Sequence, residues 1–85
     1  MYYVYILKSL RNGSFYIGYT SNLKQRFKEH NEGKSVFTKT YRPYELIHYE
    51  AFMDCNDAKA REKYLKSGWG KRTISKMLKN YFNKK

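Results

Sequence analysis

The chain has 85 residues, of which 18 are Lys or Arg and 7 are Asp or Glu, so its formal charge is +11. A chain this short buries only a little over ~60% of its unfolded surface, which excludes two separate cores, and we expect one domain over residues 1–85. So large a cationic excess repels itself unless a polyanion neutralises it, which favours nucleic acid as the partner, although a solvated basic surface would have the same composition.

The first half of the chain predicts a β-hairpin followed by a helix. Residues 2–9 and 15–19 are dense in aromatic and β-branched types, and an Asn-Gly dipeptide between them is a turn signal. Residues 20–22 are all good N-caps, apolar residues follow them at helical spacing, and Gly33 ends that pattern.

The second half predicts a third strand and two more helices. Residues 44–52 are strand-like, and Asn56 or Asp57 can cap a helix whose C-terminus would take a left-handed residue at Gly68. Apolar residues between 74 and 81 recur at three- and four-residue spacing. The expected fold is α+β: a three-stranded, mainly antiparallel sheet flanked by three helices, in the order β-β-α-β-α-α.

Aromatic residues make up 19% of the chain, while aliphatic residues are sparse. Rings must therefore carry much of the burial that aliphatic side chains usually carry. We expect a tyrosine-rich core, and we expect Trp69 and the aromatic residues of the last helix to be structural.

The cellular location follows from what the chain lacks. The apolar opening, residues 2–7, is far too short to span a bilayer, and no small-residue cleavage site follows Lys8. Cys55 is the single cysteine, so no internal disulfide can form, which fits a reducing compartment. We expect a cytoplasmic protein with no membrane partner and an ordinary thiol at Cys55.

Strand alternation brings two phenols together. It places Tyr5, Tyr16 and Gly18 on the sheet face opposite Val4 and Ile6. Gly18 removes a side chain beside the phenols, which would let a ligand approach the sheet closely. Core packing alone would also explain either tyrosine, because Tyr is a good strand former.

Arg26 and His30 are four residues apart in the first helix, so they project from the same face. A guanidinium and an imidazole there could bind phosphate and move a proton. The alternative is an exposed helix face on which Arg26 pairs with Glu29.

Glu62 is the single carboxylate in residues 59–85, where there are ten cationic side chains. A hard divalent metal needs such an anion if it is to bind beside phosphates. The alternative is a surface pair with Lys66, worth about 0.2–0.5 kcal/mol. We expect the basic residues that follow Glu62 to bind nucleic acid, chiefly Lys66, Lys71, Arg72 and Lys76.

Residues 3–5 and 16–18, Tyr-Val-Tyr and Tyr-Ile-Gly, resemble the two elements that name the GIY-YIG nucleases. Further residues fall in that family's order and approximate spacing: Thr20, Arg26, His30 and Glu62. The resemblance covers nearly the whole chain and is closest to the small stand-alone subfamily, which has a similar Arg-Glu-Lys stretch and a Gly-rich basic corner like residues 68–72. Tyr3 replaces the first glycine of the family motif, and Asn80 is the nearest candidate for a later family Asn.

The resemblance implies an endonuclease that hydrolyses phosphodiester bonds in nucleic acid with one Mg²⁺ or Mn²⁺ ion held by Glu62, and we expect DNA rather than RNA as the substrate. It implies that Arg26 stabilises charge on the phosphoryl oxygens, that Tyr5 or Tyr16 activates or positions water, and that His30 accepts a proton. A free Tyr has a pKa of ~10, so a basic Tyr would need nearby cations or metal to lower that value.

Two other functions are compatible with the composition. A catalytically silent, basic nucleic-acid-binding module would keep the same fold, although such a binder would gain affinity by losing Glu62. A binder of anionic lipid would need a helix that pairs a basic face with a large apolar one, and none is evident. The chain offers no room for a separate specificity domain, so selectivity would come from substrate shape, a protein partner or a homodimer.

Overall fold

The computed structural model describes residues 1–84 and contains three strands and four helical segments in that part of the chain. They are β1 (Tyr2–Ser9), β2 (Phe15–Thr20), α1 (Leu23–Asn31), β3 (Tyr44–Phe52), α2 (Cys55–Leu65), α3 (Gly70–Met77) and α4 (Lys79–Asn83). The expected α+β order is confirmed, with the last expected helix divided at Leu78 into α3 and α4. Lys85, the end of the expected domain and of its basic stretch, lies outside the described residues.

The sheet has the order β2-β1-β3, and both outer strands are antiparallel to β1. Because β1 is central, its residues from Val4 to Leu7 are at most 1% exposed. The pairing of β1 with β3 shifts between Ile6 and Leu7, where Ile47 is the extra residue of a β-bulge.

One face of the sheet, which we call the α2 face, is apolar. Val4 and Ile6 pack there against Ala58 and Leu65 of α2 and Ile74 of α3. All five side chains are at most 2% exposed. This cluster supplies the larger hydrophobic core, and among residues 1–84 no helix is long and apolar enough to cross a membrane.

The opposite face, which we call the α1 face, has Tyr5, Leu7 and Tyr44 at its centre and is covered by Leu23 and Phe27 of α1. Tyr5 lies opposite Gly18 on β2, and Leu7 lies opposite Tyr16. The expected grouping of Tyr5, Tyr16 and Gly18 on one face is therefore confirmed.

The start of α2 differs from the expectation. Its N-cap is Asp54, whose side chain accepts a hydrogen bond from the Asn56 backbone nitrogen at 2.7 Å, so neither Asn56 nor Asp57 caps the helix. Asp54 has an extended backbone and follows β3 almost directly, so the helix begins as soon as the strand has ended.

The corner between α2 and α3 also differs from the expectation. Gly68 is not left-handed, since the only positive-φ glycines of the described chain are Gly13 and Gly33. The glycine that the corner requires is Gly70, where an added Cβ would lie 1.7 Å from the carbonyl oxygen of Leu65. The first turn of α3 therefore rests directly on the backbone at the end of α2.

Trp69 is not a core residue, contrary to the expectation, because its side chain is 63% exposed. The backbone contact at Gly70 closes the corner without help from the indole, whose ring instead lies 5.5 Å from the Arg72 guanidinium. The aromatic residues of the last helix are partly buried: Phe82 packs against the α2 face, and the Tyr81 hydroxyl donates a hydrogen bond to Glu45.

Candidate active site

Three buried polar side chains form a continuous chain of hydrogen bonds on the α1 face. The Tyr5 hydroxyl oxygen lies 2.8 Å from His30 Nε2, and His30 Nδ1 lies 2.8 Å from Thr38 Oγ1. Tyr5 is 1% exposed, while His30 and Thr38 are 0% exposed. Strand β1, the last turn of α1 and the loop before β3 each contribute one member, so the fold brings together residues that are up to 33 positions apart (38 minus 5).

The position of the Tyr5 ring depends on Gly18. A Cβ added to Gly18 would lie 2.3 Å from both Cζ and the hydroxyl oxygen of Tyr5. The space that we expected a ligand to enter is therefore occupied by the Tyr5 ring itself. Gly18 is required because the phenol crosses directly over it on the way to His30.

Tyr16 connects this buried chain to the surface. Its ring centroid lies 5.0 Å from that of His30 and 6.4 Å from that of Tyr5, and its side chain is half-buried. Of the two phenols, Tyr16 is therefore the one that a substrate can contact.

The electrostatics of Tyr5 oppose ionisation. Burial raises the pKa of Tyr5 to about 12, and the neighbouring Tyr16 and the Glu62 carboxylate act in the same direction, while the Arg26 guanidinium beside the phenol opposes them. The resemblance required cations to lower the pKa of a basic phenol. The pKa of Tyr5 is raised instead, because burial raises it by more than the Arg26 charge lowers it. Tyr5 is therefore protonated at neutral pH.

His30 is neutral at physiological pH. Burial, assisted by the charge of Arg26, lowers the pKa of His30 to about 4. A neutral imidazole has one N–H group and one lone pair, so its two hydrogen bonds must run in a defined direction. His30 is also fully enclosed, so it can act on a substrate only through Tyr5 or Tyr16.

Arg26 forms the pair that we considered as its alternative role, with Nη1 at 3.0 Å from Glu29 Oε1. Its side chain remains 31% exposed, and its guanidinium is close enough to Tyr5 to influence the pKa of the phenol. The pairing therefore orients Arg26 beside the phenols and leaves part of the guanidinium open to an anion.

Glu62 likewise forms its alternative pair, with Lys66 Nζ at 2.8 Å. The Glu62 side chain is 22% exposed, and its charge contributes to the raised pKa of Tyr5. Among the described residues no group of three or more His, Cys, Asp and Glu could enclose a metal. A single accessible carboxylate fits Mg²⁺ or Mn²⁺, which keep several waters and bind phosphate oxygens; it does not fit a metal that needs a full protein cage.

A surface groove of about 560 Å³ runs between the hairpin and the corner of α2 and α3. Tyr16, Lys66 and Lys71 line it. Arg72 and Lys76, which we grouped with these lysines, do not line the groove and are exposed elsewhere on the molecule. Asn80 is exposed on α4, and in the described chain no hydrogen bond joins it to the cluster of phenols.

The sequence pattern identified every member of this cluster except Thr38. A threonine in a loop has no periodicity and no charge to mark it, so only the tertiary contact with His30 reveals it. The spacing of Thr38 eight residues after His30 carries no helical or strand signal.

Residues 1–77 match the family model described as the GIY-YIG catalytic domain. A UPF0213 protein of Clostridium perfringens is 42% identical over 67 residues, covering 78% of this chain and 71% of the relative. A UPF0213 protein of Staphylococcus haemolyticus is 42% identical over 67 residues, covering 78% of this chain and 80% of the relative. The solution NMR structure of a UPF0213 protein from Bacillus halodurans has a TM-score of 0.56 and 33% identity, covering 91% of this chain and 85% of that one. The chain therefore belongs to the GIY-YIG family of nuclease domains, and its relatives are the small UPF0213 proteins.

Proposed function

We propose that the chain is a single-domain, metal-dependent endonuclease that hydrolyses phosphodiester bonds, in DNA in preference to RNA. The observation that carries the proposal is the position of Tyr16. Its ring contacts His30 in the buried polar chain, and it also lines the groove that contains Lys66 and Lys71. A residue that lies between a basic surface groove and a buried hydrogen-bonded cluster is where phosphodiester hydrolysis would take place.

The groove lysines supply the affinity for substrate. Lys66 and Lys71 neutralise backbone phosphates, which gives binding that is independent of sequence and weakens as salt increases. Selectivity for a particular DNA structure would come from the shape of the groove, from a protein partner or from a homodimer.

The remaining roles follow from exposure and charge. Arg26, with part of its guanidinium open, stabilises charge on the phosphoryl oxygens, and removal of one such donor typically costs ~10²–10³ in rate. Tyr16 orients the attacking water. Tyr5 and His30 are both uncharged at pH 7 and hold the Tyr16 ring in position from the buried side. Glu62 would hold one Mg²⁺ or Mn²⁺ ion, and the chemistry that such an ion supplies when bound is polarisation of the scissile phosphate.

The decisive experiment replaces Glu62 with Gln, which keeps the size of the side chain and removes its charge. We expect Glu62→Gln to abolish Mg²⁺- or Mn²⁺-dependent cleavage of labelled nucleic acid and to bind that nucleic acid as tightly as the parent or more tightly, because repulsion of phosphate is relieved. Glu32→Gln is the matched control, since Glu32 is also a carboxylate paired with lysine but lies outside the cluster. Unchanged cleavage by Glu62→Gln across a range of metal concentrations would show that Glu62 does not hold the metal.

The second candidate function is a catalytically silent nucleic-acid-binding module. The ion pair between Glu62 and Lys66 favours it, because a carboxylate held by lysine can be merely structural. On this hypothesis the parent protein binds nucleic acid with strong salt dependence but does not cleave any member of a substrate panel with Mg²⁺ or Mn²⁺. Glu62→Gln would then change both properties little, because an exposed pair is worth under ~1 kcal/mol.

A further inference from the structure

Thr38 lies in the loop before β3, and its hydroxyl is fully buried against the imidazole of His30. The Thr38 backbone nitrogen donates to the Ser35 carbonyl at 3.2 Å, so a turn of the loop holds the side chain in place. A threonine with no catalytic chemistry of its own is thus the only polar side chain that reaches His30 Nδ1 in residues 1–84.

Two arrangements of hydrogen atoms satisfy the observed distances around the neutral imidazole. In the first, the Thr38 hydroxyl donates to Nδ1 and the Nε2–H group of His30 donates to the Tyr5 oxygen. In the second, the Nδ1–H group donates to Thr38, and the Tyr5 hydroxyl donates to Nε2. The two differ in which hydroxyl must find another acceptor.

The surroundings of the two hydroxyls favour the first arrangement. In the second, the Thr38 hydrogen would need another acceptor, yet in the part of the chain described here Thr38 Oγ1 makes no hydrogen bond except that to His30, and it is closed to water. In the first, the Tyr5 hydrogen is the free one. The Tyr5 ring lies beside that of the half-buried Tyr16, with centroids 6.4 Å apart, so the Tyr5 hydrogen faces the side of the cluster that is closest to solvent, where water can accept it.

We propose that Thr38 is a positioning residue: its hydroxyl donates to His30 Nδ1, fixes the imidazole as the Nε2–H tautomer and thereby makes His30 a donor to Tyr5. This proposal rests on the proposed nuclease function for its catalytic meaning. His30 then has no lone pair free to take the proton of Tyr5, so any proton that Tyr5 exchanges passes outward, to the side of Tyr16. His30 supports the Tyr5 oxygen together with Arg26 and is not the final proton acceptor.

The direct test is two-bond ¹⁵N–¹H correlation NMR of the histidine rings in the ¹⁵N-labelled parent protein at neutral pH, without metal or nucleic acid. The chain has two histidines, so His48→Gln assigns the signals. We expect the pattern of an Nε2–H tautomer for His30 in the parent. An Nδ1–H tautomer or an imidazolium would overturn the proposal, whatever the protein does to nucleic acid.

A pair of variants tests the consequence. Thr38→Ser keeps the hydroxyl and should keep both the NMR pattern and the cleavage rate. Thr38→Val is nearly isosteric but cannot donate, so the His30 pattern should become mixed and kcat should fall on the order of tenfold with KM unchanged. A Thr38→Val protein with an intact amide spectrum, an unchanged His30 pattern and full kcat would contradict the proposal.

These results separate the two proposals. If the parent shows the Nε2–H tautomer but Glu62→Gln still cleaves normally, the proposed metal-dependent function fails and the hydrogen-bond direction stands. If cleavage depends on Glu62 but His30 is the Nδ1–H tautomer, the role assigned to Thr38 fails alone.

Discussion

The two faces of strand β1 are equally buried but differ in the kind of side chain that they contact. On the α2 face, Val4 and Ile6 pack in a cluster of hydrophobic side chains. On the α1 face, the equally buried Tyr5 contacts an imidazole, and the imidazole contacts a hydroxyl. Adjacent residues of one strand thus belong to a hydrophobic core and to the candidate active site.

This difference shows what each kind of burial requires. An aliphatic side chain is stabilised by any well-packed apolar neighbour, so the α2 face needs only volume and shape. A buried polar group is costly unless each donor and acceptor has a partner. The α1 face therefore depends on the position of single atoms, and we expect changes there to affect activity and changes on the α2 face to affect stability.

The largest expected effect follows from adding one methyl group to the α1 face. Gly18→Ala would place a Cβ 2.3 Å from two atoms of the Tyr5 phenol and push that phenol from His30. We expect cleavage to fall by ~10²-fold, as for a catalytic group misplaced by about 1 Å, and overpacking to cost about 1–3 kcal/mol of stability. Cleavage rates and denaturant unfolding measure the two effects.

Gly68→Ala is the matched control, because no atom lies within 4 Å of an added Cβ at that position. It should leave both rate and stability close to those of the parent. If the two alanine variants had the same cleavage rate and stability, Tyr5 would tolerate displacement, and activity would not depend on the exact position of its hydroxyl.

Truncation on the α2 face should have the opposite profile. Ile6 is 0% exposed in the apolar cluster, so Ile6→Ala should lower the free energy of unfolding by ~2–5 kcal/mol. Below its melting temperature the variant should cleave at a rate near that of the parent. A loss of activity in fully folded Ile6→Ala protein would mean that the two faces are not separable; Met53→Ala, at an 82% exposed position, controls for the substitution itself.

Acid should destabilise the α1 face selectively through His30. Its folded pKa is lowered to about 4 from an unfolded value of 6.5, so the unfolded chain binds more protons between these values. The contribution of His30 to stability is therefore complete above pH ~6.5 and is lost as pH falls towards ~4, by up to about 3 kcal/mol. Urea unfolding at several pH values measures this slope.

His30→Gln, although less stable overall, should have a flatter pH dependence in that window, and His48→Gln should keep the slope of the parent. If the slopes of the parent and His30→Gln coincide, His30 is not held neutral by the fold.

The smallest expected effect is at Trp69. Because its indole is 63% exposed, Trp69→Ala should change the free energy of unfolding by no more than about ±0.5 kcal/mol, far below the cost of a buried aromatic residue. Thermal unfolding is a sufficient measurement. A loss of several kcal/mol would place Trp69 in the core that the sequence suggested and would make the packing described for the α2–α3 corner wrong.

The strands and their facing were predictable because the period-2 alternation is strong. Tyr5, Tyr16 and Gly18 were grouped correctly because a one-residue shift in register would have exposed Val4 and Ile6. The bounds of β3 were also predictable, since Tyr44 to Phe52 is an uninterrupted strand-like run.

Other features depend on competition or on tertiary contact, which a sequence pattern does not contain. Asp54, Asn56 and Asp57 can all cap a helix, and the end of β3 decides among them. Thr38 has meaning only beside His30. Trp69 was assigned to the core from residue type alone, whereas the corner is closed by backbone contact at Gly70.

The contact between Gly70 and the Leu65 carbonyl oxygen has a consequence for redesign of the groove. The main chain, and not the length of any side chain, fixes the wall that α2 and α3 present. The charge of the side chains on that wall can consequently be changed without changing the shape of its backbone. Lys71, which does not pair with Glu62, can be exchanged for Arg, Gln or Glu to change which polyanions bind in the groove, whereas any residue other than Gly at position 70 would require the backbone of the wall to move.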